Sequence, residues 1–172
     1  MYIYMYNGSE INRIRRDYVM LETILGTKKP CQIGMIVKDV EASKQKVAQL
    51  YGLAVPPTVD GGDYAITKTL YKGQPAPDAN CKMAFFDFDN IQLELIEPNQ
   101  FDSTWRDHLV QVGEGMHHLG FIVDDIFKRM EMMKEAGYEL TQFGYYGSGN
   151  GAYAYFDCTK DVKCYVELLC NF

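Results

Sequence analysis

The sequence repeats itself, and the repeat limits what the chain can fold into. Gln32 aligns with His118, Ile33 with Leu119, Gly34 with Gly120, Met35 with Phe121, Ile36 with Ile122 and Val37 with Val123. The match continues through Asp39 and Asp125 to Val40 and Ile126, always 86 residues apart. Both copies are apolar, strand-like runs followed by an Asp suited to cap a helix. A second pair of runs, Ile91–Ile96 and Cys164–Leu169, places Glu94 opposite Glu167. Two like halves, each opening and closing on an apolar strand, predict an α+β fold built from paired modules.

The rest of the chain fills in those modules. Residues 1–30 stand outside the repeat as an N-terminal extension. There Ser9 caps a predicted helix from Glu10 to about Leu25, with Ile11, Ile14, Tyr18, Leu21 and Leu25 on one stripe. Residues 31–172 form the domain, with modules 31–98 and 114–172. In the first module, strand 31–37 leads to a helix from Asp39 to about Gly52, with Val40, Val47, Leu50 and Tyr51 expected on its buried side. A loop spans Pro56–Gly62, and strands follow at Asp63–Tyr71, Lys82–Phe88 and Ile91–Ile96. Asp89-Asn90 is the turn between the last two. Ser103 or Thr104 caps a short connecting helix through Trp105 and Leu109. In the second module, strand 115–123 precedes a helix with Ile126, Phe127, Met130 and Met133 inward, ending at Gly137. Strands follow at Glu139–Phe143, Ala152–Asp157 and Lys163–Leu169. Each module therefore reads β-α-β-β-β. The loop Gly147–Gly151 lacks the strand-then-helix setting of a phosphate loop and reads as a flap over a cavity.

Alternation along strands sorts the side chains. If Ile33, Met35 and Val37 face a helix, Gln32, Gly34 and Ile36 face away. The same parity turns His118 and Gly120, Glu94, and Glu167 away from the helices. Gln32, Glu94, His118 and Glu167 then share one face, with Gly34 and Gly120 leaving room beside them. His117 points the other way and belongs to the helix-facing core. Two carboxylates, an imidazole and an amide oxygen make a site for one borderline-to-hard divalent ion. Zn, Ni, Co and Mn all suit these donors. Four protein ligands leave two positions of an octahedron open for water or a bidentate substrate. Such an ion would act as a Lewis acid on substrate oxygens and stabilise an enolate or enediolate, with a coordinated carboxylate as proton carrier. Taken singly, a Glu in an apolar strand is an exposed residue and a lone His a core residue. Their paired positions in the repeat argue for the site. Tyr153, Tyr155 and Phe86 are candidates for the pocket wall.

Composition excludes other classes. The net charge is −6, so the chain lacks the basic surface that nucleic acid or an anionic membrane would need. No apolar run approaches the roughly 18–20 residues of a membrane-spanning helix. Charged residues from Glu10 to Asp17 interrupt any signal-peptide core. The five cysteines show no zinc or disulfide spacing and read as reduced thiols of a cytoplasmic protein.

At these residues the sequence resembles the vicinal oxygen chelate superfamily, which includes glyoxalase I, methylmalonyl-CoA epimerase, bleomycin-resistance proteins and extradiol dioxygenases. The resemblance covers about residues 30–172. It rests on Gln32–Asp39, Leu93–Pro98, Gly113–Phe121 and Tyr165–Leu168. It implies paired βαβββ modules curled into an open, curved mixed sheet around a metal, and a homodimer. It carries Gln32, Glu94, His118 and Glu167 over as metal ligands. This set is similar to one glyoxalase I ligand set, whereas the epimerases usually begin with His. The resemblance makes Glu167 the catalytic base, with Glu94 as its partner across the substrate.

Two departures bear on substrate. The epimerases carry a second acid/base Glu on the strand after the first helix, where this chain offers only Lys68 or Tyr71. Basic residues for glutathione are not recognisable. The segment Trp105–His108 before Gly113 resembles a less characterised branch. The expected function is a metal-dependent lyase or isomerase of glyoxalase or epimerase type, acting on a small carbonyl or thioester. The alternative is a small-molecule binder of bleomycin-resistance type. A dioxygenase ranks third, because its iron takes two His and this chain has one at the ligand positions.

Overall fold

The computed structural model describes residues 24–172. The helix expected from Glu10 lies outside these residues except at its end. There Ile24 and Leu25 are helical and pack on the core of the second module.

One ten-stranded mixed sheet organises the described residues, in the order Val59–Asp60 (β2), Cys81–Asp87 (β5), Gln92–Pro98 (β6), Gln32–Ile36 (β1), Gly115–Ile122 (β7), Tyr165–Asn171 (β10), Gly151–Asp157 (β9), Glu139–Tyr145 (β8), Leu70–Tyr71 (β3) and Gln74–Pro75 (β4). In the first module β1 (Gln32–Ile36) leads into α1 (Val40–Tyr51). The Asp39 carboxylate accepts from Ala42 N at 2.9 Å, and Gly52 closes the helix in the left-handed conformation. β2 (Val59–Asp60), β5 (Cys81–Asp87) and β6 (Gln92–Pro98) complete its half of the sheet. α3 (Thr104–Gln111), capped by Ser103 Oγ accepting from Arg106 N at 3.0 Å, connects to the second module. That module is β7 (Gly115–Ile122), α4 (Ile126–Glu135), β8 (Glu139–Tyr145), β9 (Gly151–Asp157), the short turn α5 (Thr159–Val162) and β10 (Tyr165–Asn171).

The repeat shows in the pairing. β1 lies parallel to β6, and β7 lies parallel to β10. The modules meet where β1 and β7 run antiparallel. Outside the sheet, Val40 and Ala48 of α1 pack on Ala84, Phe86 and Leu95. Ile126, Met130 and Met133 of α4 pack on Phe156, Val166 and Leu168. Alternation then leaves the opposite side chains on the concave face.

Several expectations are corrected. Asp63–Tyr71 is not a strand: Tyr64–Thr67 is a helical turn, α2, and only Leu70–Tyr71 (β3) is extended. β3 pairs with β8 of the other module and with β4 (Gln74–Pro75). Val59–Asp60, expected in a loop, supplies the strand beside β5 instead. The segment from β2 to β3 thus joins the two ends of the sheet and straps the open side of the half-barrel. Tyr71 and Lys72 tether its far end to Asp107 of α3, at 2.5 and 3.1 Å.

The helices turn differently from their apolar pattern. Leu50 is 75% exposed and Tyr51 56%, while Lys44 is buried with its ammonium on Glu41 and Thr58. Phe127 is 51% exposed. Ile126, one residue before Phe127, takes the buried position instead, so the helix face is rotated from the expected one. His117 leaves the helix-facing core because β7 carries a bulge: Met35 pairs with Met116 but Gly34 with His118. The extra residue brings His117 onto the concave side, where it packs on Tyr155 and Tyr165.

Candidate metal centre

The four residues of the sequence pattern meet on the concave face at the seam between modules. His118 Nε2 lies 3.0 Å from Glu167 Oε2, 3.4 Å from Glu94 Oε2 and 3.3 Å from Gln32 Oε1. All four side chains are buried. One chain supplies all of them, two from each module. Among the described residues, Glu94, His118 and Glu167 are the group whose donor atoms converge, within 4.8 Å of one another. None of the five cysteines joins them.

The seam makes the site possible. Gly34 faces His118 and Gly120 faces Gln32 across the β1–β7 pair. A Cβ at Gly34 would lie 1.9 Å from His118 Cε1, and one at Gly120 3.0 Å from the Gln32 Cβ. Each half of the repeat thus supplies the gap into which the other half's polar side chain fits.

Further residues aim these side chains. Gln32 Nε2 donates to Gln92 Oε1 at 2.8 Å, and Gln92 Nε2 donates to Asp87 Oδ1 at 2.8 Å. With its amide nitrogen held by Gln92, Gln32 turns its oxygen toward the centre. Behind the imidazole, His118 Nδ1 lies 3.0 Å from His117 Nδ1. A proton on His118 Nδ1 shared with His117 leaves the Nε2 lone pair directed at the carboxylates, the tautomer a metal requires. Parity turns Gln92 to the Glu94 face but assigns it no role, and it misplaces His117. Gln92 is two residues before Glu94 on the same face, a signal available in the sequence; the bulge that recruits His117 left none.

The electrostatics are those of crowded, buried donors. Burial, reinforced by Glu167 and opposed by His118, pushes the Glu94 carboxyl up to about 8. Burial alone would lower His118, but Glu167 and Glu94 outweigh it and raise its pKa. His117 is held well below the ordinary range by burial, then by His118 and His108. Glu167 Oε2 is buried, with the His118 imidazole nitrogen 3.0 Å away. An anionic oxygen in that position is costly unless a cation compensates it. A divalent ion fits: two carboxylate oxygens, one imidazole nitrogen and one amide oxygen point at a common space. The donors are hard to borderline and contain no thiolate.

A family model described as Glyoxalase/Bleomycin resistance protein/Dioxygenase superfamily matches residues 31–156. The chain belongs to this superfamily. A solved structure of a hypothetical protein, BH1468 from Bacillus halodurans C-125, is similar in fold at TM-score 0.60 and 20% identity, covering 84% of this chain and 94% of that one. A Streptomyces coelicolor methylmalonyl-CoA epimerase in complex with 2-nitronate-propionyl-CoA is similar at TM-score 0.58 and 20% identity, covering 83% of this chain and 96% of that one. The Bacillus subtilis (strain 168) protein YqjC, itself named as uncharacterized, is 26% identical over 89 residues. That match spans 52% of this chain and 64% of YqjC, less than two thirds of its length.

The concave face encloses a cavity of about 470 Å³. Gln32, Glu94 and Glu167 form part of its wall. Tyr153 and Tyr155 line it, but Phe86 packs under α1 and its neighbour Phe85 lines the cavity instead. Lys68 and Tyr71, the candidate second acid/base residues, are not in its wall: Lys68 lies over the Tyr64 ring and Tyr71 binds Asp107. Thr67 and Thr69 of the strap occupy that side. At the rim the strap meets the predicted flap, where a Cβ on Gly62 would lie 2.6 Å from Gly147 Cα. Among the described residues no helix is long and apolar enough to cross a membrane.

Proposed function

We propose that the protein is a metal-dependent isomerase or lyase of glyoxalase type, moving a proton beside a substrate carbonyl. Gln32, Glu94, His118 and Glu167 would hold one divalent ion. Bound there, it would supply Lewis acidity to substrate oxygens, making the neighbouring C–H easier to ionise. The observation that carries this reading is the convergence of the buried Glu94, His118 and Glu167 donor atoms within 4.8 Å of one another.

The remaining roles fall to the chain's own residues. Glu167 lies in the cavity wall and can take the proton from one carbon and return it to the next. Glu94 shares the site, 3.4 Å from the His118 imidazole, as the second carboxylate. Gln92 and His117 hold Gln32 and His118 in position. The aromatic wall and the strap exclude water from the ionised substrate. The absence of Lys68 and Tyr71 from the cavity wall favours one-face proton transfer over a two-sided epimerase.

The test follows deuterium uptake from solvent at the substrate α-carbon by the metal-loaded protein, over a panel of hemithioacetals, acyl thioesters and α-hydroxyketones. Exchange is expected with at least one class and should vanish in Glu167→Gln. Exchange that persists in that variant would assign the base elsewhere. The enclosed cavity also suits the binder reading, in which Glu167→Gln binds as well as wild type and no substrate ever exchanges.

A further inference from the structure

The cavity wall carries more information than its metal end. Six aromatic residues line it: Phe85, Trp105, Tyr145, Tyr146, Tyr153 and Tyr155. Among the described lining residues there is no lysine or arginine. The charged members are all acidic, namely Asp60, Glu94 and Glu167. The Asp60 carboxylate is engaged at the rim by Gly62 N at 2.8 Å and Asn80 Nδ2 at 3.1 Å. A divalent ion would neutralise Glu94 and Glu167 and no more. Among the described residues, an anionic group placed in the body of the cavity would therefore meet ring faces and a carboxylate, and no lysine or arginine.

We infer that this cavity selects an uncharged, ring-bearing substrate whose vicinal oxygens reach Gln32, Glu94 and Glu167, and that it rejects carboxylate- or phosphate-bearing conjugates. The inference deepens the proposed function and rests on it for the placing of the oxygen pair. It narrows the expected carbonyl or thioester class to uncharged members. A small acyl group is short enough to enter, but glutathione and coenzyme A carry several anionic groups, and the described wall holds no lysine or arginine for them. Size agrees. A cavity of about 470 Å³ is at the small end of ligand pockets, which run from about 300 to 1,000 Å³, and suits one or two rings. Aromatic walls favour such a body by apolar burial and offset or edge-on ring contacts. Burying an unpaired carboxylate there is unfavourable.

Trp105 makes the inference measurable. It is the one tryptophan of the sequence, it is buried, and it lies 5.9 Å from the Tyr153 ring and 6.0 Å from the Tyr155 ring, centroid to centroid. Its fluorescence reports occupation of the cavity whether or not a metal is bound. The probes are 2-hydroxyacetophenone, an uncharged aromatic ketone with adjacent oxygens, and the same molecule with a para carboxylate. Coenzyme A and the glutathione hemithioacetal of methylglyoxal are titrated beside them. Each is added to the full chain with and without cobalt.

The uncharged probe should quench Trp105 saturably and bind roughly tenfold or more tightly than its carboxylate twin or either thiol conjugate. Met83→Lys, or the more exposed Val59→Lys if the first fails to fold, places an ammonium in the wall and should shift the ratio toward the carboxylate twin. The inference is overturned if the twin or a thiol conjugate binds wild type as tightly, or if the uncharged probe does not bind. Selectivity that stands while cobalt changes no affinity supports the inference and contradicts the metal-centre reading instead.

Discussion

Gly34 and His118 face each other across the seam between the modules, and the imidazole occupies the space a side chain on Gly34 would fill. This couples the two halves of the repeat: the first strand of one module can be built only with a gap for the ligand of the other. Gly34→Ala should fold, since Gly34 does not use a left-handed backbone conformation, but must displace His118. A loss of metal affinity of about 10–100-fold is expected, as for other residues that orient ligands. Calorimetric titration with zinc or cobalt measures it, and unchanged affinity would mean that His118 does not bind the ion.

The hydrogen bond from Gln32 to Gln92 sets the direction of the Gln32 oxygen. Gln92→Leu frees the amide to turn, and a weakening of metal binding in the same 10–100-fold range is predicted. Secondary structure by circular dichroism should not change. If affinity is retained, the Asp87–Gln92–Gln32 chain is structural only.

Both Glu94 and His118 have raised pKa values in the metal-free protein, and the two effects have the same sign. For Glu94, the folded state holds a proton that the unfolded chain releases near its ordinary pKa. Stability therefore falls as pH rises from about 4.5 toward about 8. For His118, stabilisation is fully present below about 6.5 and is lost as pH rises through its higher folded value. The thermal midpoint of the metal-free protein should decline between pH 5 and pH 8, other groups apart. Glu94→Gln should flatten that decline. Because ligands must shed these protons, metal affinity should rise over the same interval, with proton release measurable by titration in buffers of different ionisation enthalpy.

Much of the fold and all four members of the candidate site were legible in the sequence, and the reason is periodicity. A two-residue alternation, repeated in register 86 residues apart, fixes which side chains share a face before any contact is known. What escaped depends on information that alternation does not carry. The bulge that brings His117 beside His118 arises from pairing with Met35 and Gly34. The strap from Asp60 to Tyr71 is held by the far module, through β8 and Asp107, so its local sequence resembled a strand of its own module. Phe85 could have been found: a turn centred on Asp89-Asn90 sets it opposite Glu94, and residues opposite each other share a face.

The connecting helix offers a control outside the site. Ser103 caps α3 and is fully buried. Ser103→Ala should cost about 0.5–2 kcal/mol in chemical denaturation, as at other helix caps, and leave metal affinity unchanged. A loss of metal binding on this change would show that α3, which carries His108 against His117, controls the site.

The most direct test of the central claim is metal stoichiometry. Purified protein, stripped and then equilibrated separately with cobalt, nickel, zinc and manganese, should take up one ion per chain for at least one of them and gain thermal stability with it. His118→Ala and Glu167→Gln should each lose that uptake or weaken it severely. A wild-type chain that retains no divalent ion, with a thermal midpoint unmoved by all four, would contradict the account.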